Sequence, residues 1–132
     1  MRTIKTPDVF FTIDNDILFC SYKQQLEIDL ETAKRIIDAR VEFTNGESYP
    51  ILIDFTNLKS VTKEARDYMN SPEGGLKGLS GGAFLSNNVV ATIFINLYLK
   101  INRPSIPAKF FTSKDEALLW LGKIKTEKTQ LL

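Results

Sequence analysis

The sequence contains no histidine and only one cysteine, Cys20, among its 132 residues. Without histidine, the chain lacks the usual general base at neutral pH and the most common protein ligand of metal ions. Nucleophile pairs of the serine-histidine and cysteine-histidine types are excluded for the same reason. A single cysteine cannot form an intramolecular disulfide, and its position in the apolar run ILFCSY predicts a buried side chain. We therefore predict a protein that is not an enzyme, with no catalytic residues, no metal and no cofactor.

The chain also lacks a charge excess and a long hydrophobic run. Its 17 basic and 16 acidic residues are scattered and give a net charge of +1, which argues against a nucleic-acid partner. The longest strongly apolar run, VVATIFINLYL at 89–99, is too short for an integral membrane segment, which needs about 20 residues. The N-terminus MRTIKTPDVFF has no signal-peptide pattern. These features predict a cytoplasmic protein.

The composition, 43% apolar and 25% charged, is that of an ordinary globular domain. The length fits one domain and is too short for two of ordinary size. We predict a single domain over residues 1–125 and a flexible C-terminal tail over 126–132.

Two strand-like runs and an amphipathic helix open the chain. Residues 8–22, DVFFTIDNDILFCSY, hold two runs rich in β-branched and aromatic residues around the turn formers DND, which predicts a β-hairpin. A helix is predicted next, with Asp29 as its N-cap and Asn45-Gly46 at its end. Its apolar stripe comprises Leu30, Ala33, Ile36 and Ile37, with Val41 as a further candidate. The charged residues predicted to cover the rest of its surface are Lys34, Arg35, Asp38, Arg40 and Glu42.

The middle of the chain begins with PILIDF at 50–55, a continuous apolar run that predicts a central, parallel strand buried on both faces. A short helix capped by Thr62 follows. Ser71-Pro72-Glu73 has the pattern of a further helix start, which the glycines after it make short or irregular. The glycine-rich LKGLSGG at 76–82 lacks the spacing of a phosphate loop, so we predict a mobile loop there.

The last third is predicted to alternate as strand 82–86, helix 88–102, strand 108–112 and a helix that starts at a capping box of Ser113 and Glu116. The order ββαβαβαβα predicts an α/β fold. We expect a mixed, mostly parallel five-stranded sheet with about four helices.

This element order, with ILIDFTNL at the middle strand and the ending P-x-x-F-F-x-S-x-x-E-A-x-x-W-L, resembles the STAS domain, the fold of anti-sigma-factor antagonists, and its STAS/SEC14-like bacterial relatives. The resemblance covers residues 8–124 in element order. It implies a regulatory module that acts by binding a protein partner. Its SEC14-like side implies instead a carrier or sensor domain for a small apolar or lipid-like ligand.

Antagonist-type STAS proteins carry a phosphorylatable serine in a D-S-x-G signature after the central strand. In this chain Thr62 falls at the aspartate of that signature and Lys63 at the serine. A lysine cannot accept phosphate by hydroxyl chemistry, and it places a positive charge where the switch adds a negative one. The resemblance therefore implies a module without the usual phosphorylatable serine.

The candidate ligand or regulatory residues follow the central strand: Asp54, Thr56, Asn57, Ser60, Thr62 and Lys63. Asp54, Thr56 and Asn57 are the small-molecule candidates, because ligands bind at the carboxyl ends of parallel strands. The alternative interpretation makes Thr56 and Ser60 turn-stabilising hydroxyls and Thr62 only a helix cap.

The predicted helix 88–102 is apolar almost all round, with Ile95, Tyr98 and Leu99 on a flank beside its core stripe. Either the helix is deeply buried, or that flank is an interaction surface for a partner or a homodimer. A groove for an apolar ligand near Phe84, Phe94 and LKGLSGG is a third option. The leading prediction is a non-enzymatic protein-interaction module, switched around residues 56–82, and the alternative is the carrier of an apolar ligand.

Overall fold

The structure, a computed structural model, describes residues 1–87 and 104–131. Within these ranges the helices are α1 (Leu30–Phe43), α2 (Lys63–Met69) and α3 (Lys114–Leu131). The strands are β1 (Arg2–Lys5), β2 (Val9–Asp14), β3 (Ile17–Tyr22), β4 (Leu26–Ile28), β5 (Tyr49–Asp54), β6 (Leu58–Val61), β7 (Leu79–Leu85) and β8 (Ala108–Phe111).

The main sheet is mixed and mostly parallel, in the order β1-β2-β3-β5-β7-β8. β1, β2 and β3 are antiparallel, and each later neighbour pairs in parallel. The predicted hairpin is confirmed: β2 and β3 are joined by Asn15 and Asp16, both with positive φ, which suits the twist of a two-residue turn. The prediction of a central parallel strand is also confirmed, because β5 lies between β3 and β7.

The predicted count of five strands is wrong. The sheet formed by the described residues has six, because β1 adds an antiparallel edge strand. All four residues of β1 are exposed, so its sequence carries no burial pattern from which to predict it. A separate parallel pair, β4 and β6, was also absent from the predicted order. These strands have three and four residues, and they lie in the connections that lead into α1 and α2.

The predicted caps are confirmed. Asp29 accepts a hydrogen bond from the amide of Thr32 at 2.8 Å, and Thr62 accepts one from the amide of Ala65 at 3.2 Å. At α3, the Ser113 hydroxyl accepts from the amide of Glu116 at 3.3 Å. These bonds satisfy amides that have no partner inside the first helical turn.

Two further helix predictions and the predicted C-terminal tail have different outcomes. The helix start at 71–73 is wrong, because residues 72–78 form successive turns. The helix predicted at 88–102 lies outside the described residues, so three helices are described where about four were expected. α3 extends to Leu131 and overlaps the segment 126–132, whose flexibility stays a prediction.

The two faces of the sheet carry separate cores, because successive strand residues point to opposite sides. Phe11, Cys20 and Ile51 pack with Ala33 and Ile36 of α1 on the first face. The second core, under α3, comprises Ile17, Leu52, Ala83, Phe111, Ala117 and Leu121. The central strands are therefore buried from both sides.

Candidate ligand-binding site

The face that carries α1 and α2 encloses a partly open cavity of about 80 Å³. We call it the core cavity. Its floor is the sheet, at Phe11, Cys20 and Ile51, and its roof includes Ile36 and Ile37 of α1. None of its described lining residues is an Asp or a Glu. The cavity is therefore an apolar site inside the core.

Aromatic side chains form one end of the core cavity, at the carboxyl ends of the parallel strands. The rings of Tyr22 and Phe55 meet edge to face with centroids 5.8 Å apart, and Phe55 meets Phe84 in the same manner at 5.4 Å. All three line the cavity. Edge-to-face contacts of this kind add to the burial of the rings and hold their positions.

Two glycines shape the core cavity. Gly82 lies in the floor on β7, where an added Cβ would come no closer than 3.4 Å to any atom, Cε1 of Phe84. Gly75 lies in the turns after α2, where a Cβ would come within 1.8 Å of the carbonyl oxygen of Met69. Gly82 thus leaves space in the cavity, and Gly75 permits a close approach of two backbone segments.

Arg40 is the unexpected member of the lining. Its side chain was predicted to lie on the charged outer surface of α1, and that prediction is wrong, because Arg40 is only 6% exposed. Position 40 follows Ile36 and Ile37 at helical spacing, so it lies on the buried stripe. Its guanidinium donates from Nη1 to the carbonyl oxygen of Gly75 at 3.0 Å and from Nη2 to that of Lys77. Burial lowers the pKa of Arg40 to about 10, so it remains charged at neutral pH.

Cys20 lies in the floor of the core cavity and is 4% exposed, as its apolar sequence context predicted. Burial raises the pKa of its thiol to about 12. A thiol with that pKa is almost entirely protonated at neutral pH, and the protonated form is a poor nucleophile.

The predicted ligand residues Asp54, Thr56 and Asn57 lie at the carboxyl end of β5, beside the core cavity but not in its lining. The Asp54 carboxylate accepts hydrogen bonds from the amide of Thr56 at 2.9 Å and from its hydroxyl at 2.6 Å. The side-chain amide of Asn57 donates to the carbonyl oxygen of Tyr22 at 3.1 Å. These bonds close the turn after β5, and a role in ligand binding stays a prediction.

The predicted regulatory residues Ser60, Thr62 and Lys63 are divided among three local roles. Ser60 lies in strand β6, opposite Glu27 of β4, rather than in a turn. Thr62 caps α2. Lys63 forms an exposed ion pair with Asp67 one turn later, at 2.9 Å. Because the Thr62 hydroxyl already serves the helix, phosphorylation there would disrupt the cap.

A second, more open cleft of about 330 Å³ lies on the opposite face of the sheet. Asp54 lines it, together with Phe19, Ser21 and Lys114. Although it is larger than the enclosed part of the core cavity, this cleft mixes polar and apolar groups. Asp54 and Phe55 thus point to opposite sides of the sheet, the first toward the open cleft and the second toward the core cavity.

The flank Ile95, Tyr98 and Leu99 falls outside the described residues. In the part of the chain that is described, no three metal-ligating side chains lie close enough to hold an ion. No helix described here is both long and apolar enough to cross a bilayer.

Comparison with known proteins identifies a family and a fold. Residues 11–125 match DUF7793, described as a domain of unknown function. No curated protein matches the sequence. An uncharacterised protein of the DUF3478 family from Shewanella loihica PV-4, described as having a SpoIIAA-like fold, superposes with a TM-score of 0.60 at 18% identity, over 86% of this chain and 91% of that one. This likeness confirms the STAS-like fold that the sequence predicted.

A protein of unknown function from Arthrobacter sp. FB24 is similar over 85% of this chain and 97% of its own, at 24% identity and a TM-score of 0.32.

Proposed function

The chain belongs to DUF7793, a family of unknown function, and we propose from its geometry that it is a non-enzymatic, cytoplasmic binding module for a small apolar or lipid-like ligand. The observation that carries the proposal is the core cavity, an apolar space between the sheet and α1 and α2. Ligand sites in proteins are typically concave and mostly apolar, with a few polar groups that fix orientation.

The rank of the two predicted functions is thereby reversed. From the sequence alone the carrier or sensor function is the alternative, because it rests on the SEC14-like side of the resemblance, and an apolar groove near Phe84 is only a third option. The enclosed volume, about 80 Å³, suits the insertion of a small apolar group or of one end of an alkyl chain, and the open side of the cavity leaves room for the rest of a ligand. A ligand that places methylene groups there gains about 0.8 kcal/mol for each one buried.

The non-enzymatic part of the proposal is supported by the chemistry of the cavity wall. Its nucleophile candidate, Cys20, has a pKa raised to about 12, and its described lining has no carboxylate to serve as a base. A general base must lie within hydrogen-bond reach of the proton that it removes. The nearby carboxylate of Asp54 points toward the opposite face.

The proposal is tested with N-phenyl-1-naphthylamine, a neutral apolar probe that fluoresces in dry surroundings. We expect the purified protein to enhance its fluorescence and Gly82→Val to abolish the enhancement, because the new side chain would occupy the core cavity. Gly122→Ala on α3, where a Cβ meets nothing within 4 Å, is the matched control and should bind as the unaltered protein does. Native mass spectrometry would detect any co-purifying lipid by the mass that it adds to the protein.

Equal fluorescence with Gly82→Val and with the control would place the probe elsewhere and contradict the proposal. Gly82→Val must melt cooperatively for the comparison to count. Its new Cβ would make ordinary contacts, at 3.4 Å to Phe84 and 3.8 Å to Ile51, so we expect a folded protein.

A second candidate is the regulatory protein-interaction module, with a second copy of the chain as partner. The observation that favours it is the edge strand β1, which pairs only with β2 among the described elements and is exposed throughout. Exposed sheet edges readily accept another strand. Ile4 on β1 and Phe10 on β2 are 37% and 39% exposed, which adds apolar surface beside that edge.

Light scattering distinguishes this second candidate. A dimer that Ile4→Pro dissociates would support pairing through β1, since proline removes a backbone donor and cannot be accommodated within a paired strand. The predicted surface at Ile95, Tyr98 and Leu99 is tested in the same way, with Ile95→Glu and Tyr98→Glu. A monomer at all concentrations would remove the homodimer from consideration.

A further inference from the structure

Arg40 is a buried charge without an acidic partner among the described residues. The ion pairs of the described chain join Arg35 to Asp8, and Lys59, Lys63 and Lys125 to other acids, and none of them includes Arg40. The hydrogen-bond partners of Arg40 are two backbone carbonyls. A charge buried in an apolar core without an opposite charge beside it is costly, so its presence calls for a further compensating interaction.

The guanidinium of Arg40 has capacity for such an interaction. It carries five N–H donors, and the bonds to Gly75 and Lys77 use two, which leaves three. The side chain lines the core cavity, and a second arginine, Arg66, lines it too. The described lining has no carboxylate, so its charged side chains are these two arginines.

We propose that the ligand of the core cavity carries a carboxylate and that Arg40 binds it, with the apolar tail along the sheet and α1. This inference rests on the proposed function and assigns the chemical class of its ligand: a single-chain amphiphile with an acidic head group. A planar carboxylate matches the fork of a guanidinium and accepts two hydrogen bonds from it. Its negative charge supplies the partner that the described chain does not.

The lining of the core cavity beside Arg40 supports the apolar tail of this ligand. Ile36 and Ile37 precede Arg40 by about one turn of α1, and all three line the cavity. The alkyl chain of a ligand whose head group is bound by Arg40 would therefore contact apolar side chains directly. The buried position makes the charge-assisted bond stronger than it would be in water.

The test compares three probes of equal chain length on the unaltered protein: octanoate, 1-octanol and octylammonium, each titrated by calorimetry at pH 7.4. We expect octanoate to bind at least about tenfold more tightly than 1-octanol, and octylammonium to bind most weakly. Arg40→Met should lower the affinity for octanoate to that for 1-octanol and leave 1-octanol unchanged. Lys123→Met, on the exposed surface of α3, removes the same charge and should alter neither affinity.

The outcomes separate the two proposals. Equal binding of octanoate and 1-octanol by the unaltered protein would overturn the role of Arg40 and leave the apolar ligand standing. Binding of neither, together with no N-phenyl-1-naphthylamine fluorescence, would overturn both. Should Arg40→Met fail to fold, Arg40→Lys, which retains the positive charge, takes its place. The comparison of the three probes on the unaltered protein needs no variant. A selectivity for octanoate that Arg40→Met retains would also contradict the inference.

Discussion

Arg35 on α1 holds Asp8, the residue before β2, through two parallel hydrogen bonds. Its Nε donates to Oδ2 of Asp8 at 2.7 Å and its Nη2 to Oδ1 at 2.9 Å. Asp8 is 3% exposed, whereas the Arg35 side chain is about half exposed. The pair fastens the helix to the antiparallel end of the sheet, on the face that contains the core cavity.

We expect Asp8→Asn to lower the free energy of unfolding at pH 7 by about 1–2 kcal/mol, since the neutral amide loses the bidentate charged bond while solvent screens part of the effect at Arg35. The hydrogen bond from Arg35 holds the pKa of Asp8 below its ordinary value of 3.8. The stabilisation is therefore complete above pH 3.8 and is lost as the pH falls through the lowered pKa.

Urea unfolding at pH 7 and at pH 2.5 measures both effects of Asp8→Asn. Its destabilisation should shrink at the lower pH. Glu27→Gln is the matched control, because Glu27 forms an exposed ion pair with Lys59 at 3.7 Å and should contribute less than about 0.5 kcal/mol. An equal loss from the two variants at pH 7 would refute a special role for the Arg35 pair.

Gly75→Ala should destabilise the protein by about 3 kcal/mol or more, because the new methyl group would overlap the backbone of Met69. The required backbone shift would also move the carbonyl to which Arg40 donates. Thermal unfolding followed by circular dichroism measures the loss. Gly122→Ala should instead stabilise α3, by up to about 1 kcal/mol, since alanine is the better helix former.

Thr62→Ala should cost about 1 kcal/mol, because the amide of Ala65 loses the hydroxyl that accepts its hydrogen bond. Thr62→Ser keeps that oxygen and should be close to neutral. Chemical unfolding of both variants checks the prediction. A neutral Thr62→Ala would leave the hydroxyl available for a regulatory role, so this variant also bears on the switch predicted at residues 56–82.

The Cys20 thiol should resist modification in the folded protein. With its pKa raised to about 12, roughly one molecule in ten thousand carries the thiolate at pH 8. We expect Ellman's reagent to react with the folded protein only at the rate at which the structure around Cys20 opens. Once guanidinium chloride unfolds the protein, the reaction should be rapid. Saturating 1-octanol should slow the reaction further, because Cys20 lines the core cavity. Fast labelling of the folded protein would contradict its burial.

Patterns that report burial made the fold predictable. The hairpin, the central strand and the three caps follow from alternation, continuous apolar runs and cap residues, and all are confirmed. β1 was not predictable, because an exposed edge strand has no apolar face, and β4 and β6 are too short to show a period.

The candidate site was only partly predictable. The topology predicted a site at the carboxyl ends of the parallel strands, and the polar residues there were the candidates. Phe55, which lies between them, is the residue that enters the core cavity. Arg40 shows the second limit. Its charge predicted exposure, whereas its spacing from Ile36 and Ile37 placed it inside, and the carbonyls that receive it come from a segment 35 and 37 residues later. A sequence pattern does not indicate such distant partners.

The small pair β4–β6 has a mechanical consequence. Its strands immediately precede α1 and α2, and the amide of Thr62 donates to the carbonyl oxygen of Ile28, which carries the connection up to the start of both helices. The N-terminal ends of the two helices are therefore connected, and we expect the helices to move together as a rigid unit. We therefore expect amides of both helices to exchange with deuterium at a common rate.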